Sequence, residues 1–163
     1  MRSLAFLAPF AAMLGAAALA QAQPAQINVA LGDKLQKEAP KLGERDVSQQ
    51  AARLTQLVER ALAHDTALDG ARIDLVLTDL KPNRPTFQQL SDQPGLDAIR
   101  SRSIGGATIE GQATLADGRV QPIRYDWYST TLADVVGYST WTDADRAFSR
   151  LASNLAAGRY VTR

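Results

Sequence analysis

"GGATIEGQATLADGRVQPIRYDWYS", residues 105–129, decides the architecture. Two runs of alternating apolar and polar residues flank Asp117-Gly118, the pattern of a β-hairpin. Parity fixes the turn. A two-residue loop at Asp117-Gly118 would pair Ala116 with Arg119 and, by counting back, Ile109 with Asp126 and Glu110 with Tyr125, mixing apolar and charged side chains on both faces. A three-residue loop, Ala116-Asp117-Gly118 with Gly118 left-handed, instead pairs Gly111 with Ile123, Ile109 with Tyr125 and Ala107 with Trp127, and sets Glu110 against Arg124. The bulged register is therefore expected. Its apolar face consists of Ala107, Ile109, Ala113, Ile123, Tyr125 and Trp127.

Upstream, "ARIDLVLTDL" (71–80) alternates Ile73, Leu75 and Leu77 with Asp74, Val76 and Thr78, which predicts another strand with one face on the core. Before it, Val47, Ala51, Leu54, Val58, Ala61 and Leu62 recur at helical spacing, with Asp46 as cap, Gln49 closing a capping-box-like arrangement and an end near His64. "INVAL" (27–31) reads as an edge strand, followed by an irregular charged segment, "GDKLQKEAPKLGER". A strand, a helix and a strand in that order suggest a βαβ crossover with the two strands parallel. Downstream, Ala144, Ala147, Phe148, Leu151, Ala152 and Leu155 form one stripe of a closing helix, with Thr142 as N-cap, Asp143 and Asp145 in its first turn and Gly158 at its end. The expected fold class is α+β, a two-layer sandwich with a sheet of about four strands and two long helices on one face.

The first residues, "MRSLAFLAPFAAMLGAAALAQAQ", combine Arg2, an apolar run from Leu4 to Leu19 and the small-residue pattern Ala18-Leu19-Ala20. Residues 1–20 read as a secretory signal peptide, cleaved near Ala20 or Ala22, which predicts a periplasmic protein with no transmembrane segment in the mature chain. Residues 21–45 read as a spacer carrying the edge strand, and 46–163 as a single α+β domain.

The composition excludes several chemistries. With Arg2 removed, acidic and basic residues balance, which argues against nucleic acid, a ligand that rewards clustered Lys and Arg. The chain has no cysteine and one histidine, His64, so no disulfide and no zinc site is expected. "DTALDGARID" lacks the carboxylate spacing of a calcium loop. Gly105-Gly106 precedes a strand rather than a helix, so it reads as a close backbone approach or a bulge instead of a phosphate cradle. Ser101, Ser103 and Ser129 stand in no nucleophile motif. Glu110 and Asp126 are the pair to consider for acid-base work, but the hairpin register sets Glu110 against Arg124. No catalytic residue, metal or cofactor is assigned.

Two regions remain for binding. "KPNRPTFQQLSDQPGL" (81–96) is longer than a plain connector and well punctuated: Pro82 and Pro85 stiffen it, Thr86 and Gln89 predict a capped helical turn, and Pro94-Gly95 ends it. Its candidates are Asn83, Arg84, Phe87, Gln88 and Gln89. The aromatics between 125 and 141 are the other region: Tyr125 and Trp127 belong to the core face, whereas Tyr128 and Tyr138 are candidates for contact. The expected function is a non-enzymatic cell-envelope binding or accessory protein with an envelope protein as partner. The alternative is a binder of a small polar or glycan-like ligand seated between the 81–104 loop and the hairpin. A hydrolase would require Glu110, Asp126 or His64 to converge.

Gly105, Gly106, Ala107, Ile109 and Glu110, then Gly118, then Trp141, Asp143, Ala144, Ala147 and Phe148 form a GGA-x-IE strand, a glycine turn and a W-x-DA-x-x-AF helix. In this the chain resembles a family of uncharacterised exported proteins and lipoproteins of Gram-negative bacteria, a domain of unknown function. The resemblance spans about the last sixty residues and, loosely, "IDLVLTDL". It implies an exported α+β domain and carries over no catalytic residue; the lipidated cysteine of the lipoprotein members is missing here.

Overall fold

The computed structural model describes residues 25–63 and 68–161; the N-terminal segment read as a signal peptide and His64 lie outside the described residues. Four strands, β1 (Gln26–Leu31), β2 (Arg72–Lys81), β3 (Gly106–Thr114) and β4 (Val120–Tyr128), form one sheet in the order β1-β2-β3-β4. β1 and β2 are parallel, and the other pairs are antiparallel. Helices α1 (Asp33–Leu42) and α2 (Glu44–Leu62) occupy the crossover, α3 (Phe87–Asp92) lies in the connection after β2, and α4 (Thr142–Ala156) follows the hairpin. Helices α2 and α4 pack on each other and on one face of the sheet, giving the two-layer α+β sandwich.

The hairpin has the bulged register. Ile109 pairs with Tyr125, Glu110 with Arg124, Gly111 with Ile123 and Ala107 with Trp127. Leu115 N–H donates to the Arg119 carbonyl at 2.8 Å, enclosing Ala116-Asp117-Gly118, and Gly118 has φ 83°. On the inner face Ala107, Ile109, Ala113, Ile123 and Tyr125 are buried, and Trp127 is half-buried. In β2, Leu77 pairs with Ile109 and Asp79 with Thr108, so Thr78 is one residue too many. This bulge inverts the alternation: Leu80 turns into the core, and Asp79 turns onto the open face.

Three expectations need correction. The charged segment after β1 is helical, because Leu35, Ala39 and Leu42 share a buried face that outweighs the Pro40 in its last turns. The following helix starts at Glu44 rather than at an Asp46 cap, since Gly43, at φ 96°, joins α1 to α2 directly and leaves Asp46 in the first turn. In α4 the stripe from Ala144 to Leu155 is buried as expected, but Thr142 is inside the helix and Trp141 occupies the cap position. The Thr142 hydroxyl instead accepts the Ser139 N–H at 2.9 Å.

Candidate functional site

The missing cap of α4 comes from far upstream. Asn83 Oδ1 accepts the Asp143 N–H at 2.9 Å, and Asn83 Nδ2 donates to Asp143 Oδ2 at 2.6 Å. Both residues are buried, Asn83 at 1% exposure and Asp143 at 0%. The carboxylate sits in the first turn of α4, where the helix dipole favours an anion, and its Oδ1 lies 3.7 Å from Arg146 Nη1. The Asn83 backbone is equally occupied, since its N–H donates to the Thr140 carbonyl at 2.7 Å and its carbonyl accepts from Ser103 N–H at 2.9 Å.

These bonds also explain the paired glycines. A Cβ on Gly105 would stand 2.6 Å from Asn83 Nδ2, and one on Gly106, at φ 153°, would stand 2.2 Å from the Trp127 carbonyl oxygen. Gly105 therefore makes room for the Asn83 side chain, and Gly106 lets β3 approach β4 at the Trp127-Tyr128 end.

The connection between β2 and β3 is thereby pinned at both ends. Ser103 Oγ donates to the Pro82 carbonyl at 2.5 Å, closing the loop at its base. Inside it, Arg84 Nε donates to the Tyr138 carbonyl at 2.5 Å and its Nη1 to the Ile99 carbonyl. Asp97 Oδ1 accepts the N–H groups of Ile99 and Arg100 at 2.8 and 2.7 Å, and those two bonds hold its carboxyl below the usual range. Thr86 and Gln89 form a complete capping box on α3. Gln88 donates to Asp92 at 2.9 Å.

Of the candidates read from the sequence, Asn83 and Arg84 thus spend their polar groups inside the fold, Gln89 Oε1 is committed to the α3 cap, and Gln88 is tied along α3. Phe87 differs. It is 88% exposed at the first position of α3 and is flanked by two clefts. The larger, about 740 Å³, runs along Pro40 and the start of α2 at Gly43–Asp46; the smaller, about 270 Å³, is floored by Leu90, Thr140 and Trp141. Asp46 lines both. The contribution of α1 and α2 to this surface was hidden because Pro40 obscures the helix that brings it there.

Tyr128 and Tyr138 meet in a different cleft of about 340 Å³, together with Trp127, Ser129 and Arg146. The Arg146 guanidinium stacks 4.3 Å over the Tyr138 ring and donates to its hydroxyl. On the open face of the sheet, the Tyr128 hydroxyl donates to Asp79 Oδ2 at 2.7 Å and contacts Thr108 Oγ1 at 2.7 Å. Burial drives the Tyr128 pKa far above its ordinary value, and the Asp79 charge adds to the shift. Burial raises the Asp79 pKa, but the Tyr128 and Lys34 hydrogen bonds and the charges of Lys34 and Lys81 outweigh it and leave it lowered.

Of the residues considered for hydrolysis, His64 lies outside the described residues and the other two face ordinary cross-strand partners. Glu110 lies opposite Arg124 with 3.7 Å between charged atoms, and Asp126 lies opposite Thr108. Among the described residues no group of His, Cys, Asp and Glu is arranged to hold a metal ion, and no helix is long and apolar enough to cross a membrane. No protein-family model matches the chain, and a search of curated proteins returns no match.

Proposed function

We propose that this chain is an exported, periplasmic binding or accessory domain that contacts another cell-envelope protein through the 81–104 connection, with Phe87 as the anchor. The observation that carries this reading is an aromatic ring 88% exposed on a loop held to the fold by the bonds of Asn83, Arg84, Thr86 and Gln89. A rigid loop loses little entropy on binding, and aromatic anchors between clefts dominate protein contacts. The apolar N-terminal run with Arg2 and Ala18-Leu19-Ala20, and the resemblance to exported domains, support the compartment.

Affinity capture from envelope fractions tests the reading. The wild-type chain should enrich a defined protein that the Phe87→Ala chain recovers at least roughly tenfold less, as expected when an anchor worth about 1.4 kcal/mol or more is lost. Equal recovery by both chains, or none by either, would reject it.

A second reading follows from the opposite side of α3. There a cleft of about 290 Å³ has a mostly apolar lining that includes Pro82, Pro85, Leu96 and Ile104, with Lys81, Gln89, Gln93, Ser101 and Arg102 among its polar groups, a mixture that suits the apolar face and hydroxyls of a small glycan-like ligand. Glycan fragments that raise the melting temperature of both the wild type and Phe87→Ala would favour it, because a ligand binding only the native state must stabilise it.

A further inference from the structure

The two edges of the sheet are built differently. On β4, Arg124 turns its N–H outward to the Tyr160 carbonyl at 3.0 Å, and Val161 bridges to the same residue. Pro122 shares that outward parity and has no N–H to offer, Arg124 and Asp126 add charge, and the inward Ile123 and Tyr125 are buried. These are the usual protections of an edge.

Among the described residues, β1 has none of them. Gln26–Leu31 contains no charge and no proline, and its pairing with β2 runs without a bulge. Its inward side chains, Ile27, Val29 and Leu31, are only half-buried. Gln26 N–H donates to the Ala71 carbonyl and Gly32 N–H to the Leu77 carbonyl, so even-numbered residues serve β2 and odd-numbered residues turn their backbone groups outward. The Leu31 carbonyl already accepts from Gln36 Nε2 at 2.7 Å. The backbone groups of Ile27 and Val29 remain on the edge.

The geometry points to β1 as the pairing edge for a second copy of this chain, added antiparallel about a two-fold axis through Asn28. In that register Ile27 of one copy exchanges both hydrogen bonds with Val29 of the other, and Asn28 faces Asn28 in a non-hydrogen-bonded pair. The parity matches: on both copies the residues that pair are those whose side chains face the helices, so the half-buried apolar strips of the two copies become continuous. A strand without charge suits itself, because a two-fold axis sets every charge near its own likeness. The inference is independent of the Phe87 surface, which lies on another part of the molecule.

Sedimentation equilibrium on the purified chain should give a concentration-dependent dimer. Asn28→Lys places two cations at the axis while keeping an ion pair to Asp74, whose carboxylate Asn28 now contacts at 2.9 Å, and should leave a folded monomer. Asn28→Cys supplies the only cysteine of the chain at a cross-strand distance a disulfide can span, and should oxidise to a covalent dimer much faster than Ala116→Cys at the hairpin turn. Should Asn28→Lys fail to fold, amide exchange of the wild type serves: Ile27 and Val29 should be protected only at dimer concentrations, and Asn28 and Ala30 at all. A wild type monomeric at every concentration, a dimer unchanged by Asn28→Lys, or equal oxidation of the two cysteine variants would overturn the assignment.

Discussion

Asn83 and Asp143, sixty residues apart, exchange two hydrogen bonds in the interior, and through them the β2–β3 connection caps the last helix. Removing the Asn83 side chain strips the buried Asp143 of both bonds, whereas removing the Asp143 side chain spares the backbone N–H bond to Asn83 Oδ1 and leaves Asn83 Nδ2 with the Ser103 carbonyl at 3.3 Å. Asn83→Ala should cost about 2–4 kcal/mol in urea unfolding and Asp143→Ala less, with the double variant costing clearly less than their sum. Additive losses would mean the two residues act separately.

Gly106→Ala should be far more damaging than Gly118→Ala. At Gly106 a Cβ would collide with the Trp127 carbonyl, whereas at Gly118 nothing lies within 4 Å and only the left-handed backbone resists, at about 1 kcal/mol. Comparable melting temperatures for the two variants would contradict the close approach at the end of the hairpin.

The open sheet face contributes to both pH limits. Asp79 has a lowered folded pKa, so its contribution is present above the unfolded carboxyl value of about 3.9 and is lost as pH falls through the folded value. Tyr128 has a raised one, so its contribution is present below the unfolded value of about 10 and is lost as pH rises beyond it. The urea midpoint should stay level between these limits and drop outside both. Tyr128→Phe should shrink the alkaline part, leaving the share of Tyr125, whose pKa burial also raises, and, by removing a donor to Asp79, weaken the acid part; an unaltered alkaline limb would contradict the assignment.

By contrast, the Glu110–Arg124 pair, well exposed at 3.7 Å, should matter little. Replacing both by Gln should shift stability by no more than about 0.5–1 kcal/mol, and a larger loss would show that the outer face is covered.

Much of the fold was legible because hydrophobic parity is a local record of burial. In the hairpin, one choice of loop length separated Ile109 and Tyr125 from Glu110 and Arg124, and the register followed. Thr86 and Gln89 gave the α3 cap in the same way, since both halves of that motif lie three residues apart. Helix α1 was obscured because Pro40 and its charges speak against a helix, while its burial depends on a sheet that sequence spacing does not display. The site was only partly legible for a similar reason. Asn83 looked like a surface polar residue, and only the return of α4 past it shows that its side chain is consumed by Asp143. Phe87 is the candidate that stays open to solvent.

The most direct test of the binding account is site-specific photo-crosslinking in intact cells, with the photoreactive phenylalanine at position 87 and, as a control, at the exposed Leu132. The account predicts one discrete crosslinked envelope protein from position 87 and none from position 132. No product at position 87, or the same products from both positions, would contradict it.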